Sequence, residues 1–191
     1  MTENPVQLAV IIGSTRVGRF GPTVANWFVG HAKQRDDIAV DLIDLAEDPL
    51  SVDMSSEPES GGAQAISARL TAADAFVVVT PEYNHSYPAP LKSAIDGHYT
   101  QWQAKPIGFV SYGGVSGGLR AVEHLRHVFA ELHAVTVRDT VSFHGAAQVF
   151  DVTGNPLDPT APAAAADQLL DQLVWWGSAL RAARAERPYA A

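Results

Sequence analysis

The chain alternates short apolar runs with longer stretches in which apolar residues recur every three or four positions. The first run, Val6-Gln-Leu-Ala-Val-Ile-Ile12, is rich in β-branched residues and stops at Gly13, which predicts a strand buried on both faces. Pro22 then opens a helical stretch to about Gln34, with Val24, Trp27 and Phe28 on one stripe; proline suits the first turn of a helix. Ala39 to Leu45 reads as a second strand. Glu47 to Gly62 is polar, carries Pro49 and Pro58, and reads as a mobile loop before a short helix over 63–73. Ala75-Phe-Val-Val-Val-Thr80 predicts a central, buried third strand. A loop over 81–90, a short helix over 91–96 and a fourth strand over 106–112 follow. Gly118 to Leu132 predicts a helix striped by Leu119, Val122, Leu125, Phe129 and Leu132. Val135 to Phe143 predicts a fifth strand, 154–162 a proline-containing linker, and 163–185 a final helix striped by Leu169, Leu173, Trp176 and Leu180.

Five strands alternating with helices predict an α/β fold, a parallel sheet covered on both faces, in a single domain over residues 1–191. Such sheets bind ligands beyond the carboxyl ends of their strands. Composition narrows the chemistry. Thirteen Lys and Arg against 21 Asp and Glu give a net charge of −8, which argues against non-specific nucleic-acid binding. Cysteine is absent, so disulfides, thiolate metal sites and cysteine nucleophiles are excluded. No run approaches the ~20 apolar residues that span a bilayer, and the start is polar and acidic, so a cytoplasmic protein without a membrane partner is expected.

The loop after the first strand, Gly13-Ser-Thr-Arg-Val-Gly-Arg-Phe-Gly-Pro-Thr23, combines glycines, hydroxyls, two arginines and a helix start, which makes it a phosphate cradle. It is not a Walker A loop, because Arg19 and Phe20 replace the required Lys and hydroxyl, and it lacks the Gly-x-Gly-x-x-Gly dinucleotide fingerprint. A metal-free monophosphate site remains. The loop from Thr80 to Pro88 offers aromatic and amide groups, and Tyr112-Gly-Gly-Val-Ser-Gly-Gly118 offers backbone N–H groups that a ligand can approach closely. A planar heterocycle tethered to one phosphate suits this set, and FMN fits that description.

Three stretches, Gly13-Ser-Thr-Arg16, Pro81-Glu-Tyr-Asn84 through Pro90-Leu-Lys-Ser-Ala-Ile-Asp96, and Ser111-Tyr-Gly-Gly114, give the chain its resemblance to the NADPH-dependent FMN reductase family over about residues 6–145. The resemblance implies a flavodoxin-like three-layer sandwich with strand order 2-1-3-4-5. It also implies FMN as cofactor, NADPH as hydride donor, and flavins, quinones, azo compounds or chromate as acceptors. Ser14, Arg16 and the Gly21, Pro22, Thr23 turn would hold the phosphate. Pro81, Glu82, Tyr83 and Asn84 would line the isoalloxazine and ribityl chain, and Ser111, Tyr112, Gly113 and Gly114 would close over the other edge of the ring. Arg19, His85, Tyr87 and Ser116 are expected to face the substrate, with Arg19 meeting the NADPH 2′-phosphate. A Gly97-His98-Tyr99 segment replaces the family's usual Trp beside the opening. Tyr83, Tyr87, Tyr99 and Trp102 are expected to form an interface patch of a homodimer or homotetramer. Neutralising Arg16 is expected to weaken FMN binding far more than neutralising Arg184.

Two other readings compete. Gly114-Val-Ser116-Gly-Gly118 matches the Gly-x-Ser-x-Gly of a hydrolase, with Asp139 and His144 following in triad order, though only five residues apart. The acidic balance also suits a flavodoxin-like electron carrier that docks on basic partners. His124 and His127, three apart on a helix, read as a solvated face rather than a metal site.

Overall fold

The computed structural model describes residues 4–47 and 61–190. The polar stretch expected to be mobile falls mostly on 48–60, outside the described residues. Strands β1 (Val6–Ile12), β2 (Ile38–Asp44), β3 (Ala75–Pro81), β4 (Pro106–Gly113) and β5 (Val135–His144) form one sheet in the order β2-β1-β3-β4-β5. Every neighbouring pair is parallel. Helices α1 (Gly21–Ala32) and α6 (Thr160–Glu186) cover one face. Helices α2 (Gly61–Ala72), α3 (Ala89–Asp96) and α4 (Leu119–Glu131) cover the other, and α5 (Ala146–Val149) is a single turn.

The continuous apolar strands are explained by this sandwich. In β1, Leu8, Val10 and Ile12 enter the core beneath α1 and α6, while Ala9 and Ile11 enter the core beneath α2, α3 and α4. In β3, Ala75, Val77 and Val79 face the first core and Phe76 and Val78 the second. Side chains alternate across a strand, so a strand with both faces covered is almost continuously apolar.

The last helix begins earlier than expected, at Thr160, with Pro162 inside its first turn. That position tolerates proline because first-turn N–H groups have no intrahelical acceptor. Its buried stripe is Ala166, Leu169, Leu170, Leu173 and Gly177. Trp176 does not belong to the stripe: it is 36% exposed, and Gly177 takes the close position, where a Cβ would lie 3.1 Å from Val6. Leu119 likewise leaves the expected stripe of α4 and is exposed, whereas Val122, Leu125 and Phe129 are buried. Trp102 is a core residue packed on Phe76 and Phe129, so it is no part of a surface patch. Among the described residues no helix is long and apolar enough to cross a membrane.

The N-terminal edge of the sheet is closed by a buried ion cluster. Asp74 accepts the Gln7 N–H at 3.0 Å and Arg181 at 2.9 Å, with Arg184 at 3.5 Å. Lys105 donates to the Leu70 and Thr71 carbonyls at the end of α2, at 2.9 and 3.0 Å. Burial pushes the Lys105 amine down to about 8. This edge is pinned, and the connections that lead into helices α1, α3 and α4 leave from the opposite one.

Candidate functional site

The strand order reverses between β1 and β3, and the loop after β1 leaves the sheet there. Gly13 N–H still donates to Val79 O at 2.9 Å, and Arg19 N–H donates to Arg16 O at 3.2 Å. Between them, the N–H groups of Thr15, Arg16, Val17 and Gly18 meet no acceptor among the described residues. These residues are exposed or half-buried, and α1 begins directly behind them without a side-chain cap. Four open amides and a helix start make an anion cradle.

The loop's side chains divide the work. Arg16 is exposed, lies 5.2 Å over the Tyr83 ring, and has no carboxylate partner among the described residues. Arg19 departs from expectation. It is bound to both Asp44 oxygens and donates to Ser14 O at 2.7 Å, so it staples the loop to the end of β2 rather than facing a substrate. The hydrogen bond to Asp44 raises its pKa further, against the opposing effect of burial. Ser14 is fully enclosed, and its Oγ accepts the Tyr112 hydroxyl at 3.1 Å. Its side chain is therefore part of the loop's floor, not of its open face. Burial pushes the Tyr112 hydroxyl up to about 12, although Ser14 and the two arginines act the other way. A Cβ on Gly21 would collide with Ser14 Oγ and lie 2.9 Å from the Tyr112 hydroxyl, so only glycine lets α1 start this close. Pro22 follows in the first turn, and Thr23 is half-buried beside it.

The loop after β3 holds a tight reversal. Tyr83 and Ser86 exchange backbone hydrogen bonds at 2.9 and 3.1 Å, and Asn84 and His85 between them have φ of +49° and +77°. Two left-handed residues in succession define a turn whose twist matches a hairpin. His85 is exposed, with its ring 6.2 Å from that of His124, which itself meets Ser86 Oγ at 3.1 Å. Pro81 is the buried last residue of β3, and Tyr87 packs half-buried against the core under α3.

The loop after β4 has a polarity that the sequence did not disclose. Every carbonyl from Gly114 to Gly117 is used. Gly114 O accepts Gly145 N–H at 3.0 Å, Val115 O faces His144 Nδ1 at 2.9 Å, and Ser116 O accepts Leu119 N–H at 3.1 Å. Gly117 O accepts the hydroxyls of Ser111 and Ser142 at 2.8 and 2.9 Å. The N–H groups of Gly114, Val115 and Ser116, by contrast, meet no acceptor among the described residues. Carbonyls point back to the scaffold and amides stay open, which is a preorganised donor array. Gly118, at φ +87° and with its Cβ position 2.7 Å from Ser111, admits only glycine. Ser111, expected to touch a ligand, is instead a buried anchor of this loop; Tyr112 is likewise buried and Gly113 half-buried.

Glu82 is also turned away from the expected place. Its side chain is 6% exposed and binds Ser116 Oγ at 2.5 Å and Arg120 Nη2 at 2.5 Å. Burial would raise its pKa, but the Ser116 and Arg120 bonds outweigh it and hold the carboxyl below its ordinary range. Ser116 is thus committed to Glu82. His144 is bound to Val115 O and Asp139 to Arg138 and Gln172, so the hydrolase triad is not assembled. Sequence reasoning missed Asp44, Ser142 and Arg120. Ser142 and His144 share one side of β5 by their spacing of two, which was the available signal.

An anion cradle beside a free guanidinium, and a second bank of open amides on a glycine turn, suit a ligand with a phosphate at one end and a flat hydrogen-bonding ring at the other. With the 2-1-3-4-5 sheet this defines a flavodoxin-like mononucleotide-binding protein. Residues 6–148 match the family described as NADPH-dependent FMN reductase. The chain belongs to that family, and with it to the oxidoreductases that pair a nicotinamide donor with FMN. It is 39% identical over 132 residues to an NAD(P)H-dependent FMN reductase of Schizosaccharomyces pombe, covering 64% of each chain. It is 30% identical over 165 residues to an NADPH:quinone oxidoreductase of Arabidopsis thaliana, covering 80% of this chain and 83% of the relative. In fold it is similar to the flavoenzyme NAD(P)H:(acceptor) oxidoreductase of Paracoccus denitrificans, with a TM-score of 0.72 and 22% identity over 91% of this chain and 97% of the other.

Proposed function

We propose that this chain reduces flat acceptors, quinones foremost, with hydride drawn from NADPH through bound FMN in two alternating half-reactions. The observation that carries the reading is the pair of open amide banks, at Thr15–Gly18 and Gly114–Ser116. Bound FMN would supply the hydride chemistry itself. The chain's own residues supply binding and charge. Arg16 and the Thr15–Gly18 amides neutralise a phosphate in front of α1. Tyr83, already stacked against Arg16, forms a wall beside the opening. The Gly114–Ser116 amides stabilise negative charge on a ring edge placed against them. His85, at the strained tip of its turn, meets the incoming acceptor. We infer also a cytoplasmic protein acting as a homodimer or homotetramer, with exposed Tyr99 in the interface.

The test is anaerobic mixing of FMN-loaded protein with NADPH, then with a short-chain benzoquinone. Bleaching of the flavin by NADPH and recovery on addition of quinone is the expected result. Bleaching without recovery overturns quinone as the acceptor, and no bleaching overturns the reductase reading and leaves an electron carrier without its own NADPH site.

A further inference from the structure

Glu82 is the first residue beyond β3, yet its bonds reach the loop after β4. Its N–H donates to Tyr112 O at 3.1 Å. Its Oε2 accepts Ser116 Oγ at 2.5 Å and Arg120 N–H at 3.3 Å, and its Oε1 accepts Arg120 Nη2 at 2.5 Å. One carboxylate thus grips the last open amide residue of the glycine turn and the first turn of α4. A negative charge at that helix start is favourable in its own right. The grip comes from the β3 side, whereas the carbonyl tethers of Gly114, Val115 and Gly117 run to β4 and β5. A Cβ on Gly114 would meet nothing within 4 Å, so no neighbour crowds this position of the turn.

We propose that Glu82 is a positioning residue: through Ser116 and Arg120 it fixes the orientation of the Gly114–Ser116 amides, and so sets how strongly the site favours the reduced, more negative form of the flavin. The proposal rests on the reading given under Proposed function. The Glu82 carboxylate is nearly enclosed and both its oxygens are engaged, so the side chain acts through the turn. Glycine turns are conformationally permissive, and a bracket of this kind removes that freedom before the ligand arrives.

Two variants and two measurements test it. Glu82→Gln keeps the shape and can still accept from Ser116, but loses the ion pair. Arg120→Met removes the other partner at a side chain that is 48% exposed, where misfolding is not a concern. Hydrogen exchange on the ligand-free protein should show the Gly117 and Leu119 amides, which donate to the Gly114 and Ser116 carbonyls, exchanging about tenfold faster in both variants, with protection of β3 and β4 unchanged. The midpoint potential of bound FMN should fall by about 30 mV, the equivalent of a tenfold loss of preference for the reduced form in a two-electron couple. Unchanged exchange, or faster exchange with an unchanged potential, overturns the proposal. If wild-type protein binds no FMN, the functional reading fails by itself, and the exchange measurement still decides whether the bracket orders the turn.

Discussion

At the N-terminal edge of the sheet, Asp74 gathers Gln7, Arg181 and Arg184, and Lys105 is spent on two helix-end carbonyls. At the C-terminal edge, Arg16 stands exposed over Tyr83 without a carboxylate among the described residues, and seven backbone amides around it and on the glycine turn have no acceptor. Both edges are rich in donors. At the first, nearly every donor has a partner, which is how buried polar groups behave in a stable interior. At the second, the donors are left open and the carbonyls are tied down, which leaves binding capacity in a fixed geometry. Charge placement alone does not mark a functional site; unmet hydrogen-bonding capacity held rigid does.

The comparison breaks if damage at one edge spreads to the other. The largest expected effect is from Asp74→Ala, which removes the carboxylate shared by two arginines and the Gln7 amide: a loss of about 3 kcal/mol of stability, by urea denaturation, with FMN affinity in the folded protein unchanged. Next comes pH. The unfolded-state amine of Lys105 titrates near its ordinary value of 10.5 and the folded one at about 8, so between these values the unfolded chain holds more protons. Stability should therefore rise across that interval, on the order of 2 kcal/mol, and Lys105→Met should abolish the rise. Smaller still is Arg16→Ala, expected to weaken FMN binding about tenfold in a fluorescence titration while the melting temperature stays put. Arg184 is a poor control for that experiment, because it is half-buried and donates to Ala104 O at 2.5 Å. Arg138, with a side chain 91% exposed, serves better.

The layering was legible in the sequence because the central strands β1, β3 and β4 are almost continuously apolar, and all five strands were placed within a residue or two. Helix starts were less legible. Pro90 and Pro162 read as loop but sit in first turns, where their missing N–H has no consequence. The three site loops were located from their glycines and hydroxyls, yet the roles within them were only partly readable. Arg16 and Arg19 look alike in sequence, and only the approach of Asp44 from β2 separates them. Ser14, Ser111 and Ser116 look like ligand hydroxyls, and each is engaged by a partner 6 to 98 residues distant. Direction is a property of long-range packing, which local composition does not encode.

Tyr112 joins the floor of the first loop to the strand that carries the glycine turn, across 98 residues of chain. Its hydroxyl is sealed, and it holds its proton to about 12 where a free phenol would release it near 10. The protein therefore carries an optical gauge of its own site. Hydration of this ring, when Ser14 parts from the start of α1, should draw the ultraviolet signature of its ionisation down toward that of a free phenol.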